Sequence, residues 1–389
     1  MFIGKETKMR TSLKYLGIFV FLISESCFAD IIINGNQNIN TPTTYSNVTL
    51  DMSNGRFTVN TGGALNIENS TINVTISPTN PFFTTLTNGS LMMHNNTVNV
   101  TVNGIASTPN TQSMNPLVNI QQGSVDLSGN NFAVSTPFTV SALQTQNTTT
   151  TGFNIVNNTF SQFHGGLYLN NSNSATVTGN MFTNVSFASI WHSGNLSTFN
   201  NNIILFPGNL NMGDAIDIVN ANADNINNNT ISSGVNYGIF VMGGQNISID
   251  NNQISDGLSY GIFIQTPSSL MAHKHKYLSK LLFKPNVKIN FISNKNISIT
   301  NNYLTQNRYG LAGGVVDQLI VTGNTFIQRF SDSSVRQYWT DNDILLPSAS
   351  NLIWVNNFYK EAFAQDMPGD NSKSLEFVTY PAHGGVFIP

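Results

Sequence analysis

Hydrophobic and polar residues alternate in short stretches that recur along most of the chain. Each stretch has two apolar residues separated by a spacer, then an Asn-Asn or Gly-Asn pair, and finally another apolar residue, as in 153–160 and 247–254. Such alternation, rich in Ile, Val, Phe and Leu, is typical of strands with one buried face. The second Asn of the pair recurs at intervals of 28, 22, 22, 27 and 23 residues between Asn130 and Asn252. This period predicts coils made of strands and turns only, because a helix with its loops would not fit.

The repeats predict an all-β solenoid. A stack of such coils buries one apolar column and pairs each strand with its equivalents in the neighbouring coils, about 4.8 Å away. The sequence therefore predicts a parallel β-helix of about ten to twelve coils. Its inward-facing column is expected to contain Leu167, Ile190, Ile216, Ile239, Ile262 and Leu311.

Asparagine suits the turn of each coil for two reasons. It adopts the left-handed backbone conformation more readily than most residues, and its amide both donates and accepts hydrogen bonds, so that stacked asparagines form a ladder. Stacking also explains why no Lys or Arg occurs from Phe57 to His273, because like charges in neighbouring coils would repel. We therefore interpret the Asn pairs as structural.

These repeats, with phrases such as Gly238-Ile239-Phe240-Val241, resemble those of the right-handed parallel β-helix, or pectin-lyase-like, superfamily. The resemblance extends from about Ile32 to Tyr359. It implies the fold but no single function, because the superfamily includes polysaccharide lyases, hydrolases, epimerases, periplasmic accessory proteins and passenger domains of adhesins.

The N-terminus is predicted to be a secretory signal peptide, residues 1–29. Basic residues precede an apolar run, Tyr15 to Ile23, that is too short to span a bilayer. Cleavage after Ala29 would remove the only cysteine, Cys27, and direct the protein to the periplasm or the exterior; a lipoprotein anchored through Cys27 is the alternative. The chain has a net charge of −3, so neither a nucleic-acid partner nor a membrane span is expected.

Residues 30–359 are assigned to the β-helix and residues 360–389, where the repeat is lost, to a C-terminal cap or tail. Two interruptions are expected within the β-helix. The Thr- and Gln-rich stretch from Thr136 to Thr151 is interpreted as a loop between coils. An irregular insertion is expected at about 266–294, where the spacing of the Asn pairs roughly doubles.

One outward-facing position per coil forms a row on the outside of the helix. The residues that follow the inward column are Tyr168, Trp191, Asp217, Phe240, Phe263 and Ala312, and those at the start of the same strands are Asp214, Tyr237, Tyr260 and Tyr309. Exposed rings in a line suit the apolar faces of successive sugars, although ring ladders that only stabilise the sheet are the alternative. The residues expected to bind a polysaccharide, and a neutral one, are Tyr168, Trp191, Phe240, Phe263, Tyr237 and Tyr260.

Asp217 interrupts this aromatic row, and Asp214 lies three residues earlier. Aromatic neighbours would desolvate the Asp217 carboxyl, raise its pKa and suit it to donate a proton. Glycoside hydrolysis needs two carboxyls about 5 to 9.5 Å apart, whereas a straight strand would hold this pair about 10 Å apart at the backbone. Only a bend at Asp214 would allow the two to act as a catalytic pair.

The stretch Gly213 to Ile218 resembles the Asp-Gly-Ile-Asp phrase of polygalacturonase-type hydrolases. That resemblance implies an Asp-Asp pair in the next coil, where this chain has Val235-Asn236-Tyr237-Gly238, and the later Gly-His-Gly and Arg-Ile-Lys phrases have no match. Lyases of acidic polysaccharides need Arg or Lys, and neither occurs from Phe57 to His273. These departures favour binding over catalysis and argue against a polyuronate lyase.

His273 and His275 form a His-x-His motif within a basic cluster. No third ligand can be identified, so neither a metal site nor a cofactor is predicted. His192 aligns with inward positions and is interpreted as a satisfied interior histidine. Three hypotheses follow: a secreted or periplasmic glycan-binding solenoid, a glycosidase-like enzyme using Asp217 and Asp214, and a periplasmic metal-accessory or structural solenoid.

Overall fold

The computed structural model describes most of the repeat region. The described residues are 29–105, 115–145, 150–206, 213–232, 236–256, 260–266, 292–307, 309–328, 344–345, 348–349, 351–360 and 386–387. Most of the predicted signal peptide, the interior of the predicted insertion with His273 and His275, and nearly all of the predicted C-terminal tail lie outside these residues. Those domain assignments therefore stay predictions.

Parallel strands build the described part of the chain, and they stack in three sheets that run along one axis. Each coil contributes one strand segment to each sheet, and every segment pairs in parallel with the coils before and after it. The predicted fold class is confirmed, with a number of turns close to that expected. The described part contains no helix with the length and hydrophobicity needed to span a bilayer.

Several long N-terminal strands turn a corner and contribute to two sheets. The first sheet contains Ala29–Ile39, Val48–Asn60, Thr84–His94, Asn115–Ser128, Val140–Thr145, Gly165–Asn173, Ala188–Asn195, Asp214–Val219, Tyr237–Met242, Tyr260–Gln265, Tyr309–Gly313 and Ile344–Leu345. The second contains Pro42–Ser46, Ala64–Glu68, Thr84–His94, Asn115–Ser128, Phe153–Val156, Thr176–Thr178, Thr198–Asn200, Asn225–Asn227, Gln245–Asp250, Asn294–Thr300, Val315–Thr322, Leu352–Val355 and Val386–Phe387. The third contains Ala29–Ile39, Val48–Asn60, Thr71–Ile76, Thr97–Val102, Asn131–Val134, Thr159–Ser161, Met181–Thr183, Ile203–Leu205, Thr230–Ser232, Gln253–Ser255, Tyr303–Asn307, Thr325–Gln328 and Phe358–Lys360. Two short strands, Thr150–Thr151 and Ser348–Ala349, pair at corners.

The interpretation of Thr136 to Thr151 as a loop is wrong. Its central part, Val140–Thr145, is a strand of the first sheet whose six residues are all buried. Val140 and Leu143 belong to the core. The other residues of the strand include Ser141, Gln144 and Thr145, which have the composition of a loop, but tertiary packing overrides composition in a strand.

The asparagine ladder is confirmed and forms the corner between the second and third sheets. The first residue of each pair has the left-handed conformation, with φ of 55° at Asn157 and 67° at Gly179, which only Asn and Gly adopt readily. The second residue is buried, and its Nδ2 donates to Oδ1 of its equivalent in the following coil. These bonds are 2.9–3.1 Å long and join Asn96, Asn130, Asn158, Asn180, Asn202, Asn229, Asn252, Asn302, Asn324 and Asn357 in order.

The ladder is not interrupted where the sequence spacing doubles. Nδ2 of Asn252 donates to Oδ1 of Asn302 at 2.9 Å, although the two are 50 residues apart. At the edges of the longer segment, Nδ2 of Asn294 donates to the carbonyl of Gln265 at 2.8 Å. The longer segment therefore lies within one coil, between strands Tyr260–Gln265 and Asn294–Thr300, and this coil stacks directly on the preceding one.

The interior of the solenoid is apolar, and the whole predicted inward column is buried in one core. His192 lies in this interior, as interpreted, in register with Leu169 and Ile218. Its Nε2 is 3.1 Å from Oδ2 of Asp224 and its Nδ1 is 3.3 Å from Oγ of Ser172. A polar centre thus replaces aliphatic packing at one level of the core.

Candidate functional site

The first sheet has a bend at the start of its strands. In Asp214–Val219, the consecutive residues Ala215 and Ile216 both belong to the core, so the alternation of a straight strand is broken between them. Asp214 pairs in register with Ala188, which packs on the outside of the sheet. Asp214 and Asp217 therefore both lie on the outer side of the sheet.

The predicted outer row exists. Strand register places Tyr168, Trp191, Asp217, Phe240 and Phe263 side by side in consecutive coils. Their buried members form a hydrophobic cluster that is distinct from the core. Ring centroids are 6.4 Å apart for Tyr168 and Trp191, and 5.9 Å apart for Phe240 and Phe263. The row and its side of the sheet were predicted correctly.

The expected exposure of the row is wrong for most of its members. Tyr168, Trp191 and Phe240 are only 0 %, 4 % and 2 % exposed, and Phe263 is half-buried. Alternation predicts on which side of a strand a residue lies but not what covers it. The rings shield one another, and Tyr237 adds to this by packing at 5.4 Å from Phe240. These rings are a buried outer layer and not an open platform.

The second predicted column is more accessible. Tyr237, Tyr260 and Tyr309 are half-buried and lie in register. Their ring centroids are separated by 5.6 Å and 5.0 Å in successive coils. Because neighbouring rings face one another, the column offers ring edges more than ring faces to the outside.

The two aspartates have different environments. Asp217 is buried, and desolvation, followed by the charge of Asp214, raises its pKa well above the ordinary value. Oδ1 of Asp214 accepts hydrogen bonds from Nδ2 of Asn236 and the amide of Tyr237, both at 3.3 Å. Burial and the same two carboxyls also raise the pKa of Tyr168. Two hydrogen-bond donors thus face Asp214, while burial raises the pKa of the Asp217 carboxyl.

Several buried polar atoms of the row make no hydrogen bond. They are the hydroxyl of Tyr168, Nε1 of Trp191 and Oδ1 of Asp217. The amide of Ala188 approaches the Tyr168 oxygen without hydrogen-bond geometry. An unsatisfied buried donor or acceptor costs about 1–3 kcal/mol, so these three positions in consecutive coils hold polar atoms that the fold itself leaves without a partner.

Sequence reasoning missed the residues that continue this row towards the N-terminus. Tyr168 is in register with Gln144, and Gln144 with Asn119. Ser141 occupies the neighbouring column, next to Gly165. Their signal in the sequence is the inward pair Val118 and Leu143, which aligns with Leu167, but polar composition concealed the strand.

His164 borders the aromatic cluster. Its Nδ1 lies 2.9 Å from Oγ of Ser186, and its ring is 5.8 Å from that of Phe187, which packs against the cluster. Burial lowers the pKa of His164 to about 4, so its imidazole is neutral at neutral pH. Among the described residues, no group of His, Cys, Asp and Glu has a geometry that could hold a metal ion.

Comparison with known proteins agrees with this architecture. Residues 141–275 match the family model described as "Right handed beta helix region". Two solved structures of the periplasmic alginate epimerase AlgG are similar. A double mutant has 13 % identity and a TM-score of 0.52, with 85 % of each chain covered. A second structure has 13 % identity and a TM-score of 0.51, with 86 % of this chain and 85 % of the other covered. At this identity the likeness shows the fold alone. A search of curated proteins finds no match.

Proposed function

We propose that this right-handed parallel β-helix binds an uncharged carbohydrate polymer along the outer row of its first sheet. The observation that carries the proposal is the run of unpaired buried polar atoms on Tyr168, Trp191 and Asp217, set among aromatic rings in consecutive coils. Sugars complement this combination, because their hydroxyl groups can pair with the polar atoms and their apolar ring faces can pack on the aromatic rings. A row that runs along the axis of the β-helix suits a polymer.

The half-exposed residues Phe263, Tyr237 and Tyr260 provide the accessible end of this row. A polymer first contacts these rings and then replaces ring-to-ring contacts with contacts to Trp191 and Asp217. A polysaccharide ligand is supported by the likeness to AlgG, since that protein is an alginate epimerase and so acts on a polysaccharide. A secreted or periplasmic location is proposed from the N-terminal sequence.

The proposal of an uncharged ligand depends on the charges of the site. Two carboxyls face the row, and the sequence has no Lys or Arg from Phe57 to His273. A polyuronate would bring negative charge next to Asp214 without a cation to compensate it.

A glycosidase-like activity is the second candidate function. Asp214 and Asp217 lie on one side of the sheet, with a raised pKa at Asp217 and hydrogen-bond donors at Asp214, which suits an acid and a base role. In this case Asp217 would donate a proton to the leaving oxygen, and Asp214 would act on water or on the sugar.

A panel of soluble polysaccharides tests both candidates. We expect the protein to retard on hydroxyethyl cellulose or galactomannan in affinity electrophoresis, and not on alginate or pectate. Trp191→Phe, which removes Nε1 but keeps a ring, is expected to weaken binding by about three- to tenfold. Tyr303→Phe, at a 40 % exposed ring of the third sheet, is the matched control.

Asp217→Asn separates binding from catalysis. An enzyme would lose release of reducing ends while keeping its affinity, whereas a binding protein would show no such release in either form. Equal retardation of wild type and Trp191→Phe, or retardation on alginate alone, would contradict the proposed function.

A further inference from the structure

The outer row continues beyond its aromatic part. Register runs from Tyr168 to Gln144 and Asn119, and from there to Thr85 and Thr58. The side chains change at Gln144 from rings to amides and hydroxyls. The row is therefore one continuous track with two chemically different halves.

Burial distinguishes the two positions next to the rings from the rest of the polar half. Gln144 and Asn119 are 5 % and 3 % exposed, whereas Thr85 and Thr58 are half-buried. Oδ1 of Asn119 makes no hydrogen bond, and neither does Oγ of Ser141, which is fully buried in the neighbouring column. Unpaired buried atoms thus extend over the polar positions adjacent to Tyr168.

The unpaired Asn119 contrasts with the other buried asparagines of the chain. Oδ1 of Asn158 accepts from both the amide and Nδ2 of Asn130 at 3.0 and 2.9 Å, and its own Nδ2 donates at 2.9 Å to the carbonyl of Leu127. The ladder therefore satisfies the amides of the asparagines that form it. At Asn119 the buried acceptor has no hydrogen-bond partner within the protein.

The space around Ser141 is shaped by a glycine. A Cβ at Gly165 would lie 2.9 Å from Oγ of Ser141 and 2.7 Å from the hydroxyl of Tyr168, and it would overlap the Tyr168 ring. Only glycine allows the tyrosine to lie over the backbone here with its hydroxyl close to Ser141. The polar half and the aromatic half therefore meet at Tyr168.

We infer that Asn119, Gln144 and Ser141 form an additional subsite that hydrogen-bonds the hydroxyl groups of the polymer beyond the aromatic part of the row. This inference rests on the proposed function and adds to it the length and direction of the ligand. The strands that carry Asn119 and Phe263 are separated by six coil spacings, or about 29 Å at about 4.8 Å per coil. The subsite recognises donors of an uncharged sugar through amide and hydroxyl oxygens, and it is reached only by an oligomer that already covers the rings.

The test compares short and long cello-oligosaccharides and manno-oligosaccharides by isothermal titration calorimetry on the full chain. We expect wild-type affinity to increase with oligomer length. Asn119→Leu, of similar size, and Ser141→Ala are each expected to weaken binding of long oligomers by about three- to tenfold and to leave short ones unchanged. Asn225→Leu, at an exposed asparagine of the second sheet, is the matched control.

A structural role for Asn119 is tested by thermal unfolding. The variant removes an unpaired acceptor, so its Tm is expected to match or exceed that of wild type. If Asn119→Leu does not fold, Ser141→Ala alone provides the comparison.

If both variants keep the full length dependence while Trp191→Phe still weakens binding, the subsite is wrong and the proposed function stands. If no oligomer binds the wild type, the proposed function itself fails. An equal loss of affinity for short and long oligomers would also overturn the subsite. It would mean that Asn119 and Ser141 do not form a separate position that only long oligomers reach.

Discussion

The Nε2 atom of His192 lies 3.1 Å from Oδ2 of Asp224 in the interior of the β-helix, where neither side chain is exposed. Oδ1 of Asp224 also accepts the amide hydrogen of Ser197 at 2.9 Å. The aliphatic residues Leu169 and Ile218 flank His192 in its column, so this polar centre is a local exception in an apolar stack. Removing one partner of a buried polar pair costs more stability than replacing both partners by apolar residues, because the remaining polar group is left without a partner.

A double-mutant cycle should show this asymmetry. We expect Asp224→Ala and His192→Leu each to lower the free energy of unfolding by about 3–5 kcal/mol, and His192→Leu with Asp224→Ile to lower it by less than the sum. Urea denaturation followed by circular dichroism measures these values. Additive effects would mean that the two side chains are not coupled.

The asparagine ladder predicts a large cost for a single substitution. Asn202→Ala removes Oδ1, which accepts from the backbone amide of Asn180 at 3.0 Å and from its Nδ2 at 3.1 Å. It also removes Nδ2, which donates to Oδ1 of Asn229 and to the carbonyl of Val177, each at 2.9 Å. We expect a loss of at least about 3 kcal/mol in the free energy of unfolding. Asn225→Ala, at an exposed position, is the control and should change it by less than about 0.5 kcal/mol. Similar values for both variants would show that the ladder contributes little.

Stability should depend on pH through Asp217. Its pKa is raised by burial and by the charge of Asp214, so the native protein holds a proton that the unfolded chain releases above about pH 4. This stabilisation is complete below about pH 4 and is lost as pH rises towards the raised pKa. We expect Asp217→Asn to become progressively more stable than wild type over that window in chemical denaturation at a series of pH values.

His164 acts in the opposite direction over part of this range. Its pKa is lowered to about 4, so between about pH 4 and 6.5 the unfolded chain binds more protons and stability rises with pH. His164→Gln should remove that rise but keep the decline caused by Asp217.

For the Asp217 prediction, a difference in the free energy of unfolding between wild type and Asp217→Asn that is constant at all pH values would show that Asp217 is ionised in the native state.

The predicted insertion should be dispensable for folding. The ladder joins Asn252 to Asn302, and strands Tyr260–Gln265 and Asn294–Thr300 both pair with the preceding coil, so the stack should not depend on the chain between these two strands. We expect deletion of Ser268 to Phe283 to leave the strand signal in circular dichroism and the cooperativity of unfolding unchanged. Loss of the whole transition on deletion would identify the segment as a coil of the stack.

The sequence was sufficient for the fold because every coil repeats the same physical requirements. The left-handed backbone at Asn157 and the side-chain hydrogen bond donated by Asn158 appear in the sequence as one Asn-Asn pair. The alternation of apolar and polar residues identifies which residues face the core. The same alternation placed Trp191 and Asp217 on the outer side. It could not show that Trp191 is buried, because cover by neighbouring rings depends on packing between coils.

Two other features were out of reach for the same reason. The contact of His192 with Asp224 joins a strand of the first sheet to the turn before a strand of the second sheet, and the variable length of the turns hides such pairs in the sequence. Asn119 belongs to the outer row only through strand register across the polar strand Val140–Thr145, whose composition resembles a loop. In both cases the decisive information is a distance between coils rather than a pattern within one.

Every amide in the asparagine ladder points the same way, since each Nδ2 donates to the coil that follows. The amide dipoles therefore add along the axis, as peptide dipoles do in an α-helix, and neighbouring bonds polarise one another. One end of this array presents a carbonyl oxygen at Asn96 and the other an amide group at Asn357. The solenoid thus has an electrostatic polarity that its net charge does not express, and replacing one asparagine divides a long cooperative array into two shorter and weaker ones.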